Sequence, residues 1–481
     1  MAGLINLRDY QQQGIDQLYE KLKQGKKRVV FVLQTGGGKS LTMVEISRQC
    51  LELGCRVAIV MRRRTLVGQM SGTLDKSGID HGIYMANHRR YSPKKQMQVC
   101  SIDTLGARNI YPDADVIICD ESHDVRRTSS KYRELFEYYD GKTIIGFTAT
   151  PFSDNSLWDD YICPISAQDL MDKGFLVPAK IWVPNIIDVS NVAIKSTGEY
   201  DEGELFAACA ESKVVGNIVE DWKKIGRGRR TILFAVNIEH SKLMADAFNR
   251  AGIPALHCDA NTKESDRNIA LSSLKDGSIK ILCNVNIFST GLDLVEIECI
   301  IFARPTRSVI YYLQAVGRGL RPAPHIAKKD CIIIDNAGNA LRFGSPYKAR
   351  PVDMSRKKEI EKNIEDDVAI RTCKQCFFVF DAKENKCPEC GFQNPKIERE
   401  IKTEDGELVE YQLSEEEITI IRKKEFQADF HKLKWVARTR IFRQVKDSES
   451  KELKWVCRKL AEKYGIEFCK ENEKLLTGSQ C

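Results

Sequence analysis

Short apolar, β-branched runs punctuate the chain, and stretches of helical spacing separate them. The first series comprises Val29-Val30-Phe31-Val32, Val57-Ala58-Ile59-Val60, Val116-Ile117-Ile118-Cys119 and Ile144-Ile145-Gly146-Phe147. The second comprises Ile232-Leu233-Phe234-Ala235, Ile279 to Cys283, Cys299-Ile300-Ile301-Phe302 and Cys331-Ile332-Ile333-Ile334. Runs without polar alternation belong to strands covered on both faces, as in a parallel sheet with helical crossovers. Two series predict two tandem α/β lobes, over residues 1–183 and 184–350, joined by the less regular Asn185 to Gly203. The pattern then changes. Residues 351–370 are a charged linker, 371–393 are rich in cysteine, and 394–481 form a charged, mostly helical region.

Composition narrows the class. At 481 residues, 42% hydrophobic and 29% charged, the chain reads as folded throughout its lobes and not as disordered. No stretch approaches the ~20 apolar residues of a membrane span. Met1 to Tyr10 lacks a basic-then-apolar signal, so a cytoplasmic setting is expected. The seventeen cysteines are odd in number and mostly single, several inside apolar runs (Cys119, Cys283, Cys331), which reads as reduced thiols. A net charge of +7 permits an anionic partner without demanding one.

Chemistry enters at Gln34-Thr35-Gly36-Gly37-Gly38-Lys39-Ser40, which follows the first strand and precedes a helix expected over Leu41 to Leu53. Glycines let backbone amides close around phosphate oxygens, and a helix N-terminus adds positive potential. Lys39 is placed to reach the β- and γ-phosphates and Ser40 to hold Mg²⁺. Leu33 stands where the strict pattern has its first glycine. Gly141-Lys142-Thr143 precedes a strand and opens no helix, so it reads as a surface turn. Asp120-Glu121-Ser122-His123 ends the strand Val116 to Cys119. There Asp120 can bind Mg²⁺ through water and Glu121 can polarise an attacking water.

From here the chain resembles the superfamily 2 helicases and nucleic-acid translocases, with motifs in family order across residues 8–321. The resemblance implies two RecA-like (P-loop NTPase) lobes, ATP and Mg²⁺ as cofactors, and a nucleic-acid partner. Arg8, Tyr10 and Gln11 resemble the adenine-reading segment, with Gln11 as the base contact. Arg63, Thr65, Leu66 and Gln69 resemble the first strand-contact motif, and Ser101-Ile102-Asp103-Thr104-Leu105 the next. Asp120 to His123 is motif II in a DESH form. Thr148-Ala149-Thr150-Pro151 resembles motif III, which couples hydrolysis to nucleic acid; His123 is the expected link to it. Ile232 to Asn237 resembles motif IV. Ser289-Thr290-Gly291-Leu292-Asp293 resembles motif V, with Thr290 and Gly291 on the nucleic-acid backbone and Asp293 on the ribose. Gln314 to Arg321 resembles motif VI, which brings Gln314, Arg318 and Arg321 to the γ-phosphate.

The departures choose a branch. Motif II is not DEAD, motif VI lacks His-Arg-x-Gly-Arg, and motif III reads TAT, which favours DNA over RNA as the polymer. Asn284 to Arg321, Asp330 to Asn339 and the cysteine cluster together resemble the bacterial RadD-like DNA-repair ATPases and related phage proteins. That implies single-stranded or branched DNA and repair, recombination or replication partners. An RNA helicase and an ATP-switched scaffold are the rival readings.

Cys373-x₂-Cys376 and Cys387-x₂-Cys390 can each present two thiolates, enough for a tetrahedral Zn²⁺ shell in a zinc ribbon. An iron–sulfur cluster and redox pairs fit the same residues; neither knuckle opens a thioredoxin-like helix. With four thiolates and no open position, a structural role is expected, and Lys374, Lys383 and Lys386 are weaker candidates for DNA contact. Between Arg422 and Lys470, fifteen basic and seven acidic residues leave +8, with Trp435 and Trp455 among them. Basic residues neutralise phosphate and exposed aromatics stack bases, while a small helical core explains the same tryptophans.

Overall fold

The structure, a computed structural model, describes residues 6–347 apart from 87, 126–129, 151–156, 196–197, 286 and 288–293; then 370–393; and, further on, 423, 426, 429, 430, 433, 449–464 and 469. The first lobe is built on β1 (Arg28–Val32), β2 (Val57–Met61), β3 (Gly82–Tyr84), β4 (Met97–Ser101), β5 (Val116–Cys119), β6 (Thr143–Thr148) and β7 (Asp160–Ile162). They lie in the order β3-β4-β2-β5-β6-β1-β7, every pairing parallel. The central strands are buried along their length because helices cover both faces, as the unbroken apolar runs require. Phe31 and Phe147 stack at 4.9 Å within this core.

The second lobe uses β8 (Ala179–Trp182), β9 (Thr231–Phe234), β10 (Ala255–Cys258), β11 (Ile281–Asn284), β12 (Cys299–Phe302) and β13 (Cys331–Asp335), in the order β10-β11-β9-β12-β13-β8, again parallel. The two α/β lobes are thus as expected from the runs. One strand changes sides: Ala179–Trp182, which the sequence reading closes inside the first lobe, pairs with β13 in the second sheet. An edge strand is half-covered, so Ala-Lys-Ile-Trp lacks the apolar run that marks its neighbours. The same physics hides the short edge strands β7 and β10 from the pattern, while β3 is buried but only three residues long.

The cysteine-rich segment forms a hairpin, β14 (Ile370–Thr372) with β15 (Val379–Asp381), antiparallel. It rests on the edge of the second sheet. The Val183 N–H donates to Phe377 O at 3.0 Å, and the Trp182 and Phe378 rings meet edge-on at 5.1 Å. Residues 397–481 form a separate compact unit. Its helix Glu449–Tyr464 packs Val456, Leu460 and Tyr464 against Phe426 and Phe430. Trp435, the Trp455 side chain and the linker 351–369 lie outside the described residues. Among the described residues no helix is long and apolar enough to cross a membrane.

Candidate nucleotide cleft

Parallel strands place their C-terminal ends on one rim, and β5, β6 and β1 are neighbours there. The loops leaving them therefore meet. After β1 the chain turns through Gly36 and Gly38, whose φ angles of +89° and +83° suit glycine, and enters the helix Lys39–Glu52. A Cβ on Gly38 would lie 2.6 Å from Gln11 Nε2. Gln11 is buried and fixes the loop: its Nε2 donates to Gly38 O at 3.1 Å and to Thr42 Oγ1 at 2.9 Å. The Tyr10 hydroxyl donates to Gly37 O at 3.0 Å. Arg8 lies 4.0 Å above the Phe175 ring. Phe175 was not singled out by the sequence; it sits far along the chain in a loop with no motif of its own.

Asp120 follows β5 and is buried. Glu121 takes φ +49°, a left-handed conformation uncommon outside glycine, and such outliers concentrate at functional sites. The turn lets the Glu121 N–H donate to Asp120 Oδ1 at 2.9 Å while its carboxylate lies 3.4 Å from Lys39 Nζ. Burial and the adjacent Glu121 raise Asp120 to about 6, against the opposing pull of Lys39 and Arg318. Burial also acts to raise Glu121, but Lys39, His123 and Arg318 outweigh it and hold Glu121 below the usual carboxylate range. One proton is therefore easier to place on Asp120 than on Glu121.

His123 connects this pair to the rest of the cleft. Its Nδ1 is 3.0 Å from Thr148 Oγ1 and 3.3 Å from Glu121 Oε2, and its Nε2 is 3.3 Å from Gln314 Nε2. The Thr148 hydroxyl donates to Thr150 O at 2.9 Å, so it accepts from His123 Nδ1–H. On its other side Nε2 faces the Gln314 amide. Gln314 and Arg318 are buried on the helix Val309–Gly319 of the second lobe. That helix packs on the phosphate loop: a Cβ at Gly317 would lie 2.7 Å from Thr35 Cβ, and one at Gly36 would lie 3.7 Å from Arg321 Cγ. An amide-lined loop, an ammonium, two carboxylates and the Arg318 guanidinium thus converge between the lobes, with Arg321 beside the loop. The set matches what a triphosphate and a divalent cation need for in-line transfer to water.

Two family profiles match this arrangement. "Type III restriction enzyme, res subunit" matches residues 4–153, and "Helicase conserved C-terminal domain" matches residues 212–323. The chain is a superfamily 2 helicase. It is therefore a nucleic-acid-dependent ATPase, using ATP and Mg²⁺. It is 28% identical over 416 residues to a 51.5 kDa protein of Lactococcus phage (isolate 7-9), covering 84% of this chain and 87% of that one. It is 28% identical over 360 residues to IRC3 of Saccharomyces cerevisiae, a protein named for ATP-dependent helicase activity, covering 69% of this chain and 51% of that one. This helicase thus spans about half of the yeast protein's length. The ATP-dependent Type ISP restriction-modification enzyme LlaBIII bound to DNA shares the fold, with a TM-score of 0.53 at 18% identity over 68% of this chain and 27% of that one.

The remaining candidates of the helicase fall in several places. Arg63 caps the helix Arg64–Lys76, which exposes Gln69, and Thr104 lies on the helix Ile102–Arg108, where its Oγ1 accepts from the Ala86 N–H at 3.2 Å. Both helices leave the same rim as the cleft, from β2 and β4. Ser40 is exposed at the start of its helix. Thr290, Gly291, Asp293 and Pro151 lie outside the described residues. Gly141 turns into β6 as a surface turn, and His257 bonds Ser241 Oγ at 2.7 Å inside its own lobe. The Sγ atoms of Cys373, Cys376, Cys387 and Cys390 all lie within 4.8 Å of one another, with Cys373–Cys390 at 3.6 Å and Cys376–Cys387 at 3.7 Å. Tetrahedral bonds of ~2.3 Å put sulfurs ~3.8 Å apart, so the set fits a metal of zinc's size. Two matched turns close it. Phe377 N–H donates to Cys373 O and Gly391 N–H to Cys387 O, both residues at positive φ. Only the second turn advertised itself with a glycine.

Proposed function

We propose that the chain is an ATP-driven DNA translocase or helicase that moves on or remodels DNA. The observation that carries this reading is the His123 relay, which runs from Glu121 to Thr148 in one lobe and to Gln314 in the other. In this reading Thr35, the three glycines and Lys39 hold the phosphates, and Arg8 and Gln11 border the adenine. Ser40 and Asp120 hold Mg²⁺, and Glu121 orients and deprotonates the attacking water. Lys39 pairs with Glu121 at 3.4 Å, and a nucleotide phosphate competes for the same ammonium and frees the carboxylate. Arg318 and Arg321 then place positive charge at the γ-phosphate, Gln314 offers its amide beside them, and Asp293 meets the ribose. Hydrolysis breaks the relay through His123, Thr148 and Thr150, and the lobes shift on the strand held by Arg63, Gln69, Thr104, Thr290 and Gly291.

DNA is the preferred polymer because motifs II, III and VI all depart from the RNA-helicase forms. LlaBIII, a fold relative, is described as DNA-bound. A role in repair, recombination or replication, alongside partners from those pathways in a bacterial or phage-infected cytoplasm, follows from the RadD-like resemblance. Zinc is the proposed ion of the four cysteines, with a structural role. The deciding experiment measures ATP turnover with single-stranded, duplex and forked DNA and with RNA, beside a strand-separation assay. Stimulation by DNA supports the reading; stimulation by RNA alone transfers it to an RNA remodeller. Turnover indifferent to every polymer would remove the motor altogether.

A further inference from the structure

The rim of the first sheet continues past the cleft. In sheet order, β5, β6 and β1 serve the nucleotide, and β2, β4 and β3 extend to the other side. The segments leaving these three strands are basic and exposed: Arg63 and Arg64 after β2, Arg89 and Lys94 after β3, Arg108 after β4. Arg89, Lys94 and Arg108 make no ion pair among the described residues. Burial together with Arg89, Arg90 and Arg64 pushes His88 below its ordinary value, a local record of that positive potential.

The segment after β3 is anchored to the rest of the rim. Arg90 bonds Asp75 through both terminal nitrogens, at 2.8 and 2.9 Å, on the helix that carries Gln69. It also donates to Ser71 Oγ at 3.2 Å, and that hydroxyl is held by the buried His81 at 2.8 Å. Ala86 ties the segment to Thr104, and the Tyr91 N–H donates to His88 O at 3.0 Å. This scaffold presents Tyr91. Its ring meets buried Tyr84 edge-on at 5.1 Å and stays 49% exposed. With Ile110, 47% exposed, it lines a shallow notch that Thr104 and Arg108 complete. Cations flanking an exposed aromatic ring match a phosphate backbone with an unstacked base. An acidic protein surface would use the cations and leave the ring without a partner.

We propose that Tyr91 is a base-stacking platform for single-stranded DNA, with Arg89 and Arg108 on the flanking phosphates. It extends the strand path beyond Arg63, Gln69 and Thr104. The proposal rests on the DNA reading above. Its test uses the full chain and a labelled single-stranded oligonucleotide carrying 2-aminopurine, with anisotropy followed across a salt series. Tyr91→Ala is expected to weaken binding about 5- to 100-fold, to leave the salt slope unchanged and to relieve the quenching of 2-aminopurine. Tyr91→Trp is expected to preserve both signals. Arg89→Ala and Arg108→Ala should each reduce the salt slope by about 0.7 to 1. Melting by circular dichroism checks that each variant is folded. If Tyr91→Ala binds and quenches like the wild type, the stacking site is overturned while the DNA reading stands. The stacking site is equally overturned if only the arginine variants lose affinity. If the wild-type chain binds no DNA, both fall together.

Discussion

Asp120 leaves the end of β5 in the first sheet, and Asp335 ends β13 in the second. Both are buried, and burial is the largest influence raising each to about 6. Their surroundings differ. Asp120 stands among Glu121, Lys39 and Arg318, side-chain charges that a nucleotide can rearrange. Asp335 accepts the N–H groups of Ala337 at 3.2 Å and Ala340 at 2.5 Å, where the chain turns into the helix Asn339–Phe343. A strand-end carboxylate and a raised pKa are therefore shared by the reactive lobe and the supporting one. The difference is whether the partners are movable charges or fixed backbone.

The sharpest way to break this comparison is Arg318→Ala. If Arg318 is movable charge serving the first lobe, its loss should lower single-turnover hydrolysis by roughly 10³–10⁵, as for an arginine finger, with nucleotide affinity changed far less. A drop below tenfold would mean that the second lobe supplies packing only. Next comes Glu121→Gln, expected to lower hydrolysis by about 10²–10⁴ while ATP stays bound, measured by rapid quench and by a fluorescent nucleotide. Equal loss of binding and hydrolysis would instead make Glu121 a support for Lys39.

The same contrast between fixed and movable surroundings bears on what the sequence could reveal. The unbroken runs around Ile118 and Ile333 exposed both central sheets, because strands buried on both faces must be apolar. The phosphate loop and Asp120-Glu121 were legible because their residue types are scarce in that order. The relay from His123 to Gln314 was only half-legible: a motif names both residues, but their 3.3 Å contact depends on two lobes closing. Phe175 and Tyr91 were invisible. An aromatic side chain carries no function in its identity, and only its exposure or the cation beside it gives one. Strand β8 was misplaced for a related reason, since edge strands lose the pattern that burial imposes.

The cysteine set contrasts with both carboxylates because it is assembled within a short local segment. Cys387→Ser should abolish zinc retention, read by chelator release against about one ion per wild-type chain. The ribbon covers the edge of the second sheet, and its loss frees the Val183 N–H bonded to Phe377. The melting midpoint is then expected to fall by a few degrees, while the turnover number stays near that of the wild type. Loss of turnover in a variant that still melts normally would tie the ribbon to the motor cycle.

The smallest expected effect isolates Asp335. Its pKa is raised from 3.8 to about 6 by burial, although the backbone N–H groups act to lower it. Below the unfolded value the carboxyl is protonated in both states and the native state bears no penalty. Between 3.8 and about 6 the unfolded chain releases its proton while the native chain keeps it, so stability falls as pH rises. Above that window both forms are ionised and the full cost is present, on the order of 3 kcal/mol. Asp335→Asn removes the titration and keeps one acceptor oxygen for the backbone N–H groups of Ala337, Asn339 and Ala340, a loss that does not depend on pH. The melting gap between wild type and Asp335→Asn should therefore move in the variant's favour from pH 4.5 to pH 7, over the window that the Asp335 shift defines. A gap that stays constant would mean that Asp335 is ionised in the fold throughout. The two strand-end carboxylates would then differ in their protons as well as in their partners.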